Sequence, residues 1–188
     1  KYLGLSINDI DLFAVGIGPG SFTGIRIGMT IAKTLAQVTK KDIIGVSTLE
    51  AIAVHARAKY IMPVIDARGG RIYYAIFNED MERLSEDTLA FAEDLSPILD
   101  KYDDIFVLGD YTEENKEQLK SSNVNFANII NNNQIARGIC YIARERYKED
   151  KIDNFSTLKA NYVRKSQAER DLKWFPLGLW LKMILIKF

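Results

Sequence analysis

The chain has 188 residues, of which 47% are apolar, and its 25 basic and 25 acidic side chains cancel to a formal charge of zero. That is enough apolar material to bury a core, as one domain or two small ones. A neutral total argues against a chain that grips nucleic acid unaided, because such binders display a basic excess or stripe. Here the charges interleave instead, as in Glu113-Glu114-Asn115-Lys116-Glu117.

Residues 12–17, Leu-Phe-Ala-Val-Gly-Ile, read as a buried strand. The chain then breaks into Gly18-Pro19-Gly20-Ser21-Phe22-Thr23-Gly24-Ile25-Arg26-Ile27-Gly28 and continues as a helix over 22–38. A strand that turns through glycines into a helix aims unpaired N–H groups outward at the helix start, which suits an anion or a close partner backbone. From spacing alone a tight turn with Ser21 as N-cap fits equally well. Neither common phosphate loop is present. The sixth place of a dinucleotide fingerprint is Ser21 counted from Gly16 and Thr23 counted from Gly18, and no Gly-Lys-Ser or Gly-Lys-Thr triplet occurs. On the helix, Ile25, Gly28, Met29 and Ala32 share an apolar face with small residues. It can pack on the chain's own sheet or receive another helix.

A strand over 43–46 and a helix over 48–57 follow. Residues 61–66 and 71–77 read as a hairpin with its turn at Ala67-Arg68-Gly69-Gly70. A third strand at 88–91 and a helix near 95–102 come next. Residues 104–109 repeat the pattern of 11–16, an acid, four apolar residues and a glycine, and a helix over 112–120, a strand over 124–126 and a helix over 134–147 complete it. Strand-helix-strand-helix thus occurs twice, the mark of an internal α/β repeat. By the logic of that repeat the first half owns three strands and a helix upstream, so the expectation is a chain without its natural N-terminal part. The last residues, 171–188, form an apolar tail broken by Pro176, Gly178 and Lys182, too short for a membrane span of roughly 20 apolar residues. Burial against this or another copy is favoured, because an exposed patch of this kind aggregates.

Chemistry is sparse. Cys140, beside Ile139, Ile142 and Ala143, reads as a buried structural thiol and excludes an intrachain disulfide as the single cysteine. His55 is the single histidine and reads as a surface or part-buried helical residue. Asp66, at a strand end, reads as a turn residue capping Arg68 or the Gly69-Gly70 backbone. Asp110 has the place of a residue leading into a helix near a cleft, and Glu113, Glu114 and Glu117 read as a solvated helix face. No carboxylates are paired at a spacing that compels acid/base chemistry.

The whole glycine string resembles the TsaB family, bacterial partners in making threonylcarbamoyladenosine on tRNA. Further stretches match in order: Gly45-Val46-Ser47-Thr48-Leu49-Glu50, Pro63-Val64-Ile65-Asp66-Ala67-Arg68, Arg71-Ile72-Tyr73-Tyr74-Ala75, and Tyr162-Val163-Arg164-Lys165-Ser166-Gln167-Ala168-Glu169. The resemblance implies an α/β fold of the actin-like ATPase (ASKHA, ribonuclease H-like) kind, duplicated, with the first half lacking its N-terminal hairpin strands. Residues 1–58 would be that incomplete half, 59–170 the second half, and 171–188 the tail. In such folds the turn of the first hairpin normally holds phosphate. The catalytic TsaD relatives bind metal through a His-x-x-x-His pair, which His55 alone cannot supply, so no catalytic residue and no metal site are assigned. The glycine-rich loop is Gly18, Gly20, Ser21, Thr23 and Gly24. The resemblance favours a partner interface at Phe22, Ile25, Gly28, Met29 and Ala32. Implied partners are a TsaD-like catalytic subunit and a TsaE-like ATPase, with ATP and metal held there, a possible homodimer, and tRNA reached through the complex. Arg164 and Lys165 are the candidates for any direct RNA contact. A cytoplasmic protein with no membrane association is expected. The alternative is an active glycoprotease or actin-fold kinase whose active residues lie in the missing N-terminus.

Overall fold

The computed structural model describes residues 4, 6–129 and 132–164. The first strand, β1 (Leu12–Gly18), pairs in parallel with β2 (Asp42–Ser47), and α1 (Phe22–Thr39) connects them. After α2 (Thr48–Ala53) a six-stranded sheet begins. Its strands are β3 (Tyr60–Asp66), β4 (Arg71–Tyr74), β5 (Phe77–Asn78), β6 (Thr88–Phe91), β7 (Ile105–Asp110) and β8 (Val124–Ile129). The order is β6-β4-β3-β7-β8, with β5 also on β3; β4, β5 and β6 run antiparallel to their neighbours, and β3, β7 and β8 run parallel. Helices α3 (Ser96–Leu99), α4 (Glu113–Leu119) and α5 (Asn132–Lys148) complete the described strands and α-helices, with 3-10 turns at Ile7–Asp9 and Ala92–Leu95.

Side-chain alternation places these elements in layers. In β3, Met62 and Val64 point into a core shared with Leu95, Leu99 and Leu119, while Ile61 points oppositely towards Leu49, Ile52 and Ala53 of α2. The small sheet is covered in the same way. Val15 and Ile43 meet Met29 and Ala36 of α1 on one face, and Ile44 and Val46 meet Ala51, Ile142 and Ala143 on the other. So α2 and α5 lie between the two sheets, α1 lies outside the small one, and α3 and α4 lie outside the large one. The buried Leu49, Ala51, Ile52 and Ala53 leave α2 with almost no solvent face.

The repeat is visible as β1-α1-β2-α2 against β7-α4-β8-α5, each beginning with a parallel pair whose first strand reaches a positive-φ glycine, Gly18 or Gly109. Several elements differ from expectation. The second hairpin strand is interrupted: Ile76 leaves the β3 ladder, its N–H donating to the Ser85 hydroxyl at 2.8 Å and its carbonyl accepting from Leu84 at 2.8 Å. Helix α2 ends at Ala53 rather than 57, because the chain turns tightly there to bury Ala56 beneath the large sheet. The helix expected near 95–102 is a 3-10 turn at Ala92–Leu95 leading into four residues of α3, short because Ala92, Leu95 and Leu99 all insert inward. Cys140 is exposed, not buried; α5 turns Ile135, Ile139, Ile142 and Ala143 inward, and Cys140 falls on the other side. His55 lies exposed in the turn after α2, where Nε2 is 2.8 Å from the carbonyl of Gln134. Residues 165–169 of the closing motif and the tail 171–188 lie outside the described residues.

One stretch without periodicity is ordered by the rest. Residues 153–163 form a strap that crosses β2, β1 and the space beside α1. The Asp153 N–H donates to the Ile43 carbonyl at 3.0 Å, and its Oδ2 accepts from the Gly45 N–H at 2.8 Å. Phe155 and Leu158 pack under α1, and the Asn161 N–H donates to the Ile17 carbonyl at 2.8 Å. Among the described residues, no helix is long and apolar enough to cross a membrane.

Candidate functional site: a cleft at the strand ends

The carboxyl ends of β1, β3 and β7 open on one side of the molecule into a cleft of about 940 Å³. Parallel strands present their binding crevices at this end, where loops and helix starts converge. The small sheet contributes the Pro19–Gly20–Ser21 turn, α2 contributes Thr48, the large sheet contributes Asp66, Arg68 and Asp110, and the end of the strap closes it with Asn161 to Val163, followed by Arg164.

The glycine string supplies the first wall. Gly18 has φ +106°, and a Cβ there would lie 2.8 Å from both the Asn161 carbonyl oxygen and the Ile25 side chain, so a side chain would be doubly opposed. Ser21 is the N-cap of α1, its hydroxyl accepting from the Gly24 N–H at 3.3 Å. The start of α1 therefore faces the cleft, and the cap is the turn reading of this string. Gly20 and Gly24 line the cleft beside it; Thr23 is exposed.

On the opposite wall, Asp66 Oδ1 accepts from the Arg68 N–H at 2.9 Å, which makes it the turn residue expected. Arg68, Gly69 and Gly70 follow with φ of +64°, +65° and +69°, a tight left-handed bend whose first residue lines the cleft. Asp110 is exposed at the end of β7 and lines the cleft, but the cap of α4 is Thr112, whose hydroxyl accepts from the Asn115 N–H at 3.1 Å. Glu113, Glu114 and Glu117 are exposed on α4. Arg164 lines the cleft; Lys165 lies outside the described residues. Among the described residues, no three His, Cys, Asp or Glu side chains gather as a metal-ion site.

Sequence reading missed Asp87, which stands in an acid-rich loop and looks solvated. Its side chain is 5% exposed. Oδ2 accepts from the Ser47 hydroxyl at 3.0 Å and from Asn161 Nδ2 at 2.6 Å, while Oδ1 accepts from Arg83 at 2.5 Å. One carboxylate thus joins the small sheet, the strap and the loop before β6. Arg83 stands four residues before it, but the two partners that tie it to other elements are 40 and 74 residues away in the chain, beyond the reach of local pattern. Asp87→Ala would strand three donors and is expected to lower stability by about 2 kcal/mol. Asp87→Asn should lose roughly half of that, because one oxygen remains for Ser47 or Asn161. Urea unfolding of both variants checks this, and equal losses would contradict it.

Of the residues expected at a partner interface, four face the chain's own sheet. Met29 is buried, Ile25 and Ala32 pack into the same cluster with Val15 and Ile43, and Gly28 lies over Val15. Packing on the chain's own sheet is thus how this chain uses that face. Phe22 is half-buried, stacked on Tyr162 with ring centroids 4.8 Å apart. The outward row of α1 is a different one: Ile27 and Ile31, each 56% exposed, and Val38 at 74%.

The family model described as TsaD, tRNA N6-adenosine threonylcarbamoyltransferase, matches residues 1–168. The chain is 46% identical over 81 residues to the tRNA threonylcarbamoyladenosine biosynthesis protein TsaB of Escherichia coli (strain K12), covering 41% of this chain and 35% of that one. It is 29% identical over 175 residues to the protein of the same description from Bacillus subtilis (strain 168), covering 88% of this chain and 74% of that one. The match thus spans about a third of the first relative and three quarters of the second. A crystal structure from Pseudomonas aeruginosa, of an uncharacterized protein with similarity to peptidase YEAZ, superposes with a TM-score of 0.70 at 20% identity, covering 87% of this chain and 78% of that one. That likeness shows the fold: an α/β arrangement shared with that structure and consistent with the actin-like ATPase type. Matched through 168 of its 188 residues, and similar to TsaB proteins along its length, the chain belongs to the TsaD family, described as tRNA N6-adenosine threonylcarbamoyltransferase.

Proposed function

We propose that the chain is a non-catalytic partner subunit in forming N6-threonylcarbamoyladenosine at adenosine 37 of tRNAs reading ANN codons. The observation that carries this reading is the match to the Bacillus subtilis TsaB over 88% of this chain. The metal and the threonylcarbamoyl-adenylate belong to a TsaD-type subunit, and a TsaE-type ATPase docks on the same assembly.

The surface offered to the TsaD-type subunit is the outward row of α1. Three large aliphatic side chains along one helix face lose water when a second helix covers them. Replacing both Ile27 and Ile31 by Asp is expected to weaken pairing by about 2 kcal/mol, roughly thirtyfold in affinity. Far-UV circular dichroism should be unchanged, since both side chains are exposed. Pairing is read by light scattering with the TsaD-type protein, and unaltered affinity would remove the row from the interface. The function itself is tested by reconstituting this chain with TsaD-type and TsaE-type proteins and counting modified adenosine in digested tRNA. Product that depends on this chain supports the reading; ATP or peptide hydrolysis by the chain alone, scaling with protein across preparations, supports the enzyme alternative. A homodimer through the same row would show in the scattering without any partner.

A further inference from the structure

The neutral total of this chain conceals a segregation of charge. Residues 21–41 hold Arg26, Lys33, Lys40 and Lys41 and no acid, and residues 155–164 hold Lys159 and Arg164 and no acid. The fold lays these two segments side by side: α1 and the strap enclose a groove of about 470 Å³ lined by Arg26, Lys33, Lys159 and Tyr162 among others, with no acidic residue. Lys33 Nζ donates to the Leu158 carbonyl at 3.0 Å, which holds one cation at the groove wall. At its end the Arg26 guanidinium lies 4.3 Å from the centre of the Phe22 ring, and Phe22 in turn stacks on Tyr162, itself 44% exposed.

We infer that this groove between α1 and the strap is a contact site for single-stranded RNA. The cations meet phosphates, and the Tyr162–Phe22 stack receives one unpaired base. Two features favour RNA over an acidic peptide. The cations stand along a groove, as a backbone needs, and it ends on an exposed aromatic face, which a base can stack on and a carboxylate cannot use. The inference rests on the proposed function for which RNA is met, a tRNA loop held on the assembled complex. The site lies on the flank of α1 away from Ile27 and Ile31, in a separate set of side chains.

The test has two arms. In the first, the isotope-labelled chain is titrated with a single-stranded decaribonucleotide at ~20 mM salt, where a weak contact is not screened. Shifts confined to amides of 22–33 and 157–162 are expected, with their loss in Arg26→Gln/Lys159→Gln and about tenfold weaker binding in Tyr162→Leu. Shifts scattered elsewhere, or equal displacement by a polyglutamate peptide of the same charge, would overturn the inference. In the second arm the complex with TsaD-type and TsaE-type partners binds tRNA on filters across a salt series. Loss of two phosphate contacts should lower affinity roughly tenfold at 0.15 M and reduce the salt slope by about 2. An unchanged slope would count against the groove, as would failure of the double variant to assemble, since that marks a protein contact. Should the wild-type complex form no modified adenosine, the proposed function fails while the first arm still decides the groove.

Discussion

Gly138→Ala is expected to destabilise the protein by at least about 3 kcal/mol, although alanine favours a helix over glycine by about 1 kcal/mol. The opposition of those two effects makes the experiment decisive. Gly138 is buried on α5 where that helix crosses α2, and a Cβ built there would fall on the carbonyl oxygen of Ala51, far inside contact distance. The opposing atoms are backbone on both sides, so no rotamer relieves the clash. The helices would have to separate, opening the cluster of Ile44, Val46, Ala51, Ile142 and Ala143. Urea unfolding gives the answer by sign: a variant more stable than the parent would mean that α5 does not rest on α2 in this way.

A second large effect is expected at Arg146 on the same helix. One of its terminal nitrogens donates to the Gly45 carbonyl at 2.9 Å, and the other to both oxygens of Glu50 at 2.8 and 2.7 Å. The guanidinium therefore ties α5 to β2 and to the first turn of α2 at once. The two side chains are 34% and 20% exposed, which places the pair between a surface contact and a buried one. Arg146→Met leaves Glu50 charged and half-buried without its cation, and a loss of about 3 kcal/mol follows. Adding Glu50→Gln should recover part of it, because the stranded charge is then gone. Additive losses in that double-mutant cycle would show that the two residues act independently.

Elements marked by composition were legible in the sequence. The apolar runs of β1, β3 and β7, each ending at a glycine or an acid, stand at their expected places, and α1 follows the glycine string with Ser21 as its cap. What escaped depends on contacts that are distant along the chain. Nothing near Ile76 announces that its polar groups prefer Ser85 and Leu84 to the β3 ladder. Asp87 and the strap at 153–163 have no periodicity to read, since each is ordered by partners from other elements. The apolar face of α1 was visible, but which row met the sheet was not. Ile25, Met29 and Ala32 turned inward, leaving Ile27, Ile31 and Val38 outside.

The small parallel sheet is finished at β2 by a side chain as well as by backbone. On the outer edge of β2, Asp153 stands where a further strand would lie, taking the Ile43 carbonyl with its backbone and the Gly45 N–H with its carboxylate. Among the described residues no strand pairs with the far edge of β1. An edge whose carbonyl and N–H are both taken cannot accept a further strand at that point. The carboxylate of Asp153 thus does part of the closing that a backbone would otherwise do.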